Sequence, residues 1–175
     1  MNIQSLETAS RRHAMQLMLD QTKPDFVVLI GTKLTSMTAT RKMFNGYKAF
    51  HSHTLKHANW IQRATGQLHS SKGVTILVKN CYDVGQVNIG SGLIEGRFAS
   101  LTMYVNTDGT GQKPWALKIG GAYYDCEHKV TEGRRALSTA IANDINESLA
   151  DEIHYQTDSN CPYQATDLAE RIDET

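Results

Sequence analysis

Apolar and polar positions recur along the chain with several different spacings, each predicting a different element. Over residues 6 to 21, Leu6, Ala14, Leu17 and Met18 fall near one face of a helix while Arg11, Arg12, Gln16 and Asp20 point elsewhere. Pro24 then stops the helix, because the residue before a proline is pushed out of the helical region. Phe26-Val27-Val28-Leu29-Ile30 is apolar at every position and rich in β-branched residues, the pattern of a strand covered on both faces and central in its sheet. Val74-Thr75-Ile76-Leu77-Val78, bounded by Gly73 and Lys79-Asn80, reads as a second buried strand.

Between them, from Thr32 to Ser71, the chain is polar, punctuated by Gly46 and Gly66, and reads as an irregular excursion with one short helix near residues 36 to 43. Strict alternation returns from Arg97 to Val105, with Ala99, Leu101, Met103 and Val105 on one side and Ser100, Thr102 and Tyr104 on the other, as in a half-buried antiparallel strand. The Asp108-Gly109 turn supplies the positive φ angles of a hairpin, so Trp115 to Tyr124 is the returning strand. A second helix follows Thr131 as N-cap, with Leu137, Ala140, Ile141, Ile145, Ser148 and Leu149 at helical spacing. Beyond Asp151 the chain is polar and acidic and carries at most a short helix around residues 166 to 172. The expected organisation is one domain over residues 1–150 and an acidic arm over 151–175.

Composition narrows the function classes. At 175 residues and 40% hydrophobic the chain can build one real core. It lacks both a continuous apolar stretch of membrane-spanning length and a secretory leader pattern. Cys81, Cys126 and Cys161 are odd in number and widely spaced, which argues against a disulfide framework or zinc knuckle and for an intracellular, reducing compartment. His53 and His57 sit four apart, a spacing that can place both on one helix face for a metal; without accompanying cysteines or carboxylates the plainer reading is packed or solvated histidines. Net charge is zero, but residues 1 to 80 hold eleven Lys or Arg against three acids, and residues 81 to 175 hold seven against fifteen. A basic half attracts phosphate backbones, although two solvated faces, or an acidic half folded near a basic one, would leave the same pattern.

Three separated stretches carry a resemblance. Asn2-Ile3-Gln4-Ser5-Leu6, a helix, and Pro24-Asp25 leading into Phe26–Ile30 and Gly31-Thr32-Lys33-Leu34 are followed by Gly46-Tyr47 and Lys72–Lys79. Glu95-Gly96-Arg97-Phe98 and Gly121-Ala122-Tyr123-Tyr124 come last. In order and spacing, over roughly residues 2 to 149, these resemble the amino-terminal half of the endonuclease/exonuclease/phosphatase superfamily. That superfamily includes apurinic endonucleases, deoxyribonuclease-like enzymes and the endonuclease domains of non-LTR retroelements. The implied fold is α/β: a partial sandwich of the superfamily type, supplying one mixed sheet flanked by helices.

The resemblance also implies a chemistry and shows where it breaks. In such enzymes the acid of a Glu-Thr-Lys motif binds a divalent cation, an asparagine and a tyrosine hold the phosphate, and a later Asp-x-Asn and a final Asp-His activate water. Here the acid's position is Gly31, and a hydrogen atom cannot ligate a cation that demands oxygen donors. Asn2 and Tyr123 keep family-like identities, while Tyr124 and Asp125 replace the alanine and proline of the family's Tyr-Ala-Pro, and nothing after Tyr124 reads as the later motifs. The expectation is a pseudoenzyme with no intact catalytic set, no metal and no cofactor. Its sheet, apolar on both faces, needs covering by the chain's own long segments, a second copy or another subunit, and other protein subunits of a larger assembly are the expected partners. RNA is a further partner on a charge argument, through Arg11, Arg12, Lys33, Arg41, Lys42, Lys48, Lys56 and Arg63, making a ribonucleoprotein subunit plausible. The alternative is a magnesium-dependent phosphodiesterase or nuclease, completed by another chain or cut from a longer enzyme.

Overall fold

In the computed structural model of the chain, which describes residues 1, 3, 5–34, 39–53, 72–105, 114–124 and 132–157, the two apolar runs are neighbours in one sheet. β1 (Phe26–Ile30) pairs antiparallel with β3 (Val74–Lys79), from Phe26 opposite Val78 to Ile30 opposite Val74. β2 (Tyr47–Ser52) flanks the other side of β3. β2 falls inside the stretch expected to be irregular, because its Tyr-Lys-Ala-Phe-His-Ser pattern alternates only loosely. The expected helix near residues 36 to 43 is not formed over 39–43, which leads into β2 through turns.

The chain's first residues add an edge. The Met1 ammonium donates to the Val28 carbonyl (2.7 Å), Ile30 N–H to Met1 O (3.0 Å), Ile3 N–H to Ile30 O (2.8 Å) and Leu6 N–H to Thr32 O (2.8 Å). Both partners ascend in number together, so this is a parallel ladder along β1. Leu6, expected to open the helix, instead ends this edge. α1 (Ala9–Thr22) starts three residues later, capped by the Thr8 hydroxyl accepting from Arg11 N–H (3.4 Å), and stops at Lys23 in the left-handed region immediately before Pro24. Its buried residues are Met15 and Leu19, whereas Leu17 is exposed. With Leu6, Leu29, Leu34, Phe44, Tyr47 and Leu77 they cover the outer face of the sheet.

The second sheet has the order β4 (Asp83–Ile89), β5 (Phe98–Val105), β6 (Trp115–Ala122), β7 (Glu152–Thr157). β5 and β6 form the expected antiparallel pair, from Phe98 opposite Ala122 to Val105 opposite Trp115; the connecting turn lies outside the described residues, as does any element at 166–172. β6 then crosses through α2 (Glu132–Asn146) to β7, which runs parallel to it. Residues 152–157, expected to begin an arm, are therefore a strand of the sheet. Only its polar, exposed face hid it.

The expected single sheet is two, packed face to face. Val28, Ile30, Phe50, Val74, Ile76 and Val78 from the first meet Ala99, Leu101, Met103, Leu117 and Ile119 from the second in one buried cluster. Each sheet thus covers the other's inner face, which is the cover by the chain's own segments that was one of those expected. Contact is closest at Gly121, where a Cβ would lie 2.7 Å from Val28 Cγ1 and 2.8 Å from Val74 Cγ1. The boundary between the sheets, between Lys79 and Asp83, falls where the charge changes sign: the strands of the first sheet come from the basic stretch and those of the second from the acidic one.

α2 packs on the outer face of the second sheet with less apolar surface than its spacing promised. Leu137 is buried and Ile141 packs beside it on Phe98, Ala122 and Tyr124, but Arg134 and Asp144 complete the buried face and Leu149 lies beyond the helix, 84% exposed. The Arg134 guanidinium sits 5.8 Å from the Tyr124 ring centre, and Lys118 Nζ lies 3.1 Å from Asp144 Oδ1 with both side chains buried. Asn88 (3.3 Å) and the Tyr155 hydroxyl also donate to the Asp144 carboxylate. Buried charges are tolerable only when paired and hydrogen-bonded in this way.

Two stability measurements check this packing. Gly121→Ala is expected to cost about 1–3 kcal/mol in denaturant unfolding, since a methyl there overpacks the interface. Lys118→Met is expected to cost about 3 kcal/mol or more by stranding Asp144, with much of that recovered in Lys118→Met/Asp144→Leu.

Candidate functional site

Strand direction decides which loops meet. Phe26 packs edge-on against His154, 5.4 Å between ring centres, and Gly121, opposite Gln156 in β7, abuts Val28. β1, β6 and β7 therefore run the same way, and their carboxyl ends share one end of the sandwich. Gathered there are Gly31-Thr32-Lys33-Leu34 after β1, Ser52-His53 after β2, Lys72-Gly73 before β3 and Tyr123 after β6. β7 ends at Thr157, and in the sequence the next residues are Asp158-Ser159-Asn160. This is an Asp-x-Asn triplet following a strand. The strand before it lacks the apolar run that would have marked it in the sequence.

The end of β1 is built around glycine. Gly31 has φ +77° and Lys33 φ +54°, so the chain leaves the strand through left-handed conformations. The Gly73 carbonyl accepts from Gly31 N–H (2.8 Å) and Thr32 N–H (3.1 Å), and Lys33 N–H donates to Lys72 O (3.0 Å). Gly73 is itself at φ +139°, and a Cβ on it would lie 2.4 Å from Thr32 Oγ1. A glutamate at position 31 would thus have to adopt a conformation that L-residues avoid.

Among the described residues, donors for a cation are few at this end. Thr32 and Ser52 are each 1% exposed, and their hydroxyls have no hydrogen-bond partner among the described residues. His51 is fully engaged: the Thr40 carbonyl (3.0 Å) can only accept, so Nε2 carries the proton and Nδ1 accepts from the Thr75 hydroxyl (3.0 Å). Burial holds its pKa below the usual histidine value, against the Thr40 carbonyl, with His53 adding to the lowering. Among the described residues no group of three or more His, Cys, Asp or Glu could hold a metal. This donor set does not fit the hard, carboxylate-rich shell of a magnesium ion. Asn2 and His57 lie outside the described residues. Tyr123 is half-buried against the inter-sheet core, its N–H donating to Arg97 O (2.8 Å).

The basic candidates do not form one patch. Arg11 is exposed and Arg12 part-buried at the start of α1, and Arg12 Nη1 donates to the carbonyls of Leu6 (2.9 Å) and Glu7 (2.7 Å). Lys33 lies at the sheet ends. Arg41 stacks over Phe50, 5.1 Å from its ring centre, and Lys42 is exposed in the turn before β2. Lys48 donates to the Tyr82 carbonyl (2.9 Å) at the opposite end of the sandwich. Lys56 and Arg63 lie outside the described residues. Among the cysteines, Cys81 is an exposed free thiol, and Cys126 and Cys161 are outside the described residues.

Asp144 and Tyr155 are polar residues that sequence reasoning missed. Burial disfavours the charged Asp144 carboxylate, but hydrogen bonds from Tyr155 and Lys118 outweigh it and leave the pKa below the ordinary value. Burial and the same carboxylate drive the Tyr155 pKa upward. The cluster lies beneath α2 on the outer sheet face, not at the strand ends, and its evident role is to seat the helix.

No family model and no curated protein matches the sequence. Solved structures do match in fold. D. rerio TDP2, humanized by 14 mutations, aligns with a TM-score of 0.63 at 14% identity, over 98% of this chain and 68% of that one. An AP endonuclease from Archaeoglobus fulgidus aligns at 0.52 and 17% identity, over 81% of this chain and 46% of that one. The catalytic domain of Xenopus laevis APE2 aligns at 0.51 and 15% identity, over 82% and 50%. All three are endonuclease/exonuclease/phosphatase proteins, so the chain has that α/β fold in part, spanning about half to two thirds of these neighbours. No described helix is long and apolar enough to cross a membrane.

Two outcomes check the local geometry. Gly31→Glu is expected to lower unfolding stability by about 1–2 kcal/mol through left-handed strain. Because the His51 pKa is depressed in the folded state, its contribution is present above the ordinary histidine value of 6.5 and lost as pH falls below it. Denaturant midpoints should decline on that side, and His51→Gln should flatten the decline.

Proposed function

We propose that this chain acts by contact and not by cleavage: a non-catalytic member of the endonuclease/exonuclease/phosphatase fold, retained as a binding or structural subunit. The observation that carries this reading is Gly31. Its position lacks the ligating carboxylate, and its backbone, at φ +77° and tied to Gly73, favours glycine there. Other protein subunits are the expected partners, and RNA a second one. Support for RNA is charge alone: Arg11 and Lys42 stand exposed on the basic half, whereas Arg12, Arg41 and Lys48 already have structural contacts. No cofactor is called for, and an intracellular, reducing setting suits the exposed Cys81 thiol.

A second reading has its own observation. Asp158-Ser159-Asn160 directly follows β7, the order in which the superfamily places its water-activating Asp-x-Asn. With a ligand supplied by another chain or by further residues of a longer one, a magnesium-dependent phosphodiesterase would result.

Incubating the chain with plasmid and abasic DNA in magnesium or manganese separates the two readings. The contact reading expects no metal-dependent cleavage. Turnover that needs the metal and disappears in Tyr123→Phe or Asp158→Asn would establish the second reading instead.

A further inference from the structure

Of the three residues that α2 buries, only Leu137 is apolar; the others are Arg134 and Asp144. Beneath the helix Leu137 meets Phe98, Ala122 and Tyr124, with Ile94, Ile141 and Tyr155 beside them, a much smaller cluster than the one buried between the sheets. A helix of 15 residues is marginal by itself in water, so α2 persists because it is docked. Its docking leans on polar contacts as much as on apolar ones.

Asp144 works against the helix and for the docking. It lies in the last turn of α2, which carries no basic residue, and there a negative charge meets the partial negative charge of the terminal carbonyls. The sheet supplies what the helix lacks. Among the described residues the carboxylate is faced by Lys118 from β6 (3.1 Å), the Tyr155 hydroxyl from β7, the Asn88 amide from β4 (3.3 Å) and the Ser100 hydroxyl from β5. Lys118 is in turn buried in its strand, flanked by Thr102 of β5 and Ile153 of β7, so its charge depends on Asp144. Lifting the helix returns both charges to water, which offsets much of the lost attraction, whereas removing one charge strands the other.

We propose that α2 is a lid over the outer face of the second sheet, latched by the Lys118–Asp144 pair, and that it opens as a unit while the two sheets stay packed. The latch couples helix formation to docking, because Asp144 is tolerable near the end of the helix only while Lys118 is beneath it. Opening uncovers Phe98, Ala122 and Tyr124 together with the Lys118 ammonium and the Tyr155 hydroxyl, a face hidden in the closed molecule. β7 stays in place through its backbone ladder with β6, from Glu152 opposite Leu117 to Thr157 opposite Ala122. The inter-sheet cluster lies on the other face of β5 and β6 and is wholly apolar, so it does not depend on the latch. The inference stands whether or not the chain cleaves anything.

Hydrogen exchange of the full chain at low denaturant concentrations separates opening from unfolding. In the unaltered protein the α2 amides of Leu137, Ala140 and Ile141 are expected to exchange together, faster than those of Leu101, Met103 and Ile119. Their denaturant dependence should also be smaller, since lifting one helix exposes less surface than unfolding. Asp144→Asn keeps the shape and removes the charge, and is expected to speed α2 exchange roughly a hundredfold by stranding Lys118. Lys118→Met/Asp144→Leu, which replaces the latch by apolar contact, is expected to hold α2 exchange within about tenfold of the unaltered protein. Asp144→Lys, which sets two ammonium groups together, is expected to leave α2 unprotected and the sheet amides protected. Helix and sheet amides exchanging at one rate with one denaturant dependence in the unaltered protein overturn the inference. So does a double variant as fast as Asp144→Asn, or loss of sheet protection along with the helix in Asp144→Lys.

Discussion

Everything in this molecule depends on the inner faces of two small sheets burying each other. Neither sheet could stand alone: a few strands with one apolar face gain too little to offset the conformational entropy of ordering them. Brought together, Ile30, Val74 and Ile76 on one side and Leu101 and Ile119 on the other are completely buried. The two glycines of β6 are part of the same solution. Gly121 lets β1 and β3 approach, and Gly120 leaves room on the opposite face for the Tyr155 ring, which a Cβ would approach to 2.2 Å.

From that packing the placement of the strand ends follows. Once β1, β6 and β7 run together, the segments after them converge whether or not they retain any chemistry. At this convergence the chain leaves β1 through Gly31, whose φ of +77° favours glycine.

How much of this was legible depended on burial. β1 and β3 announced themselves through short, almost continuous apolar runs, β1 apolar throughout and β3 interrupted at Thr75; the β5–β6 pair did so through strict alternation; α2 through Leu137 and Ile141. β4 and β7 did not, because edge strands are polar on the sides that meet water, and Glu-Ile-His-Tyr-Gln-Thr has no apolar run to count. Missing β7 also concealed Asp158-Ser159-Asn160, whose meaning depends on the strand before it. The same bias produced one sheet where there are two. The buried face of α2 misled in the opposite direction: Arg134 and Asp144 look like solvent residues, and only the three-dimensional neighbours Tyr124, Lys118 and Tyr155 make their burial tolerable. Gly31 stood out in the sequence, but its left-handed backbone required the structure.

The central claim is that this chain by itself forms one self-covered, two-sheet unit. Native-state hydrogen exchange of the isolated protein tests it most directly, by comparing the amides of Leu29, Ile76 and Leu77 in the first sheet with those of Leu101, Met103 and Ile119 in the second. The account predicts that both sets exchange only through one shared global unfolding, with equal protection and equal dependence on denaturant. Protection confined to a single sheet, with the other exchanging freely, would contradict it.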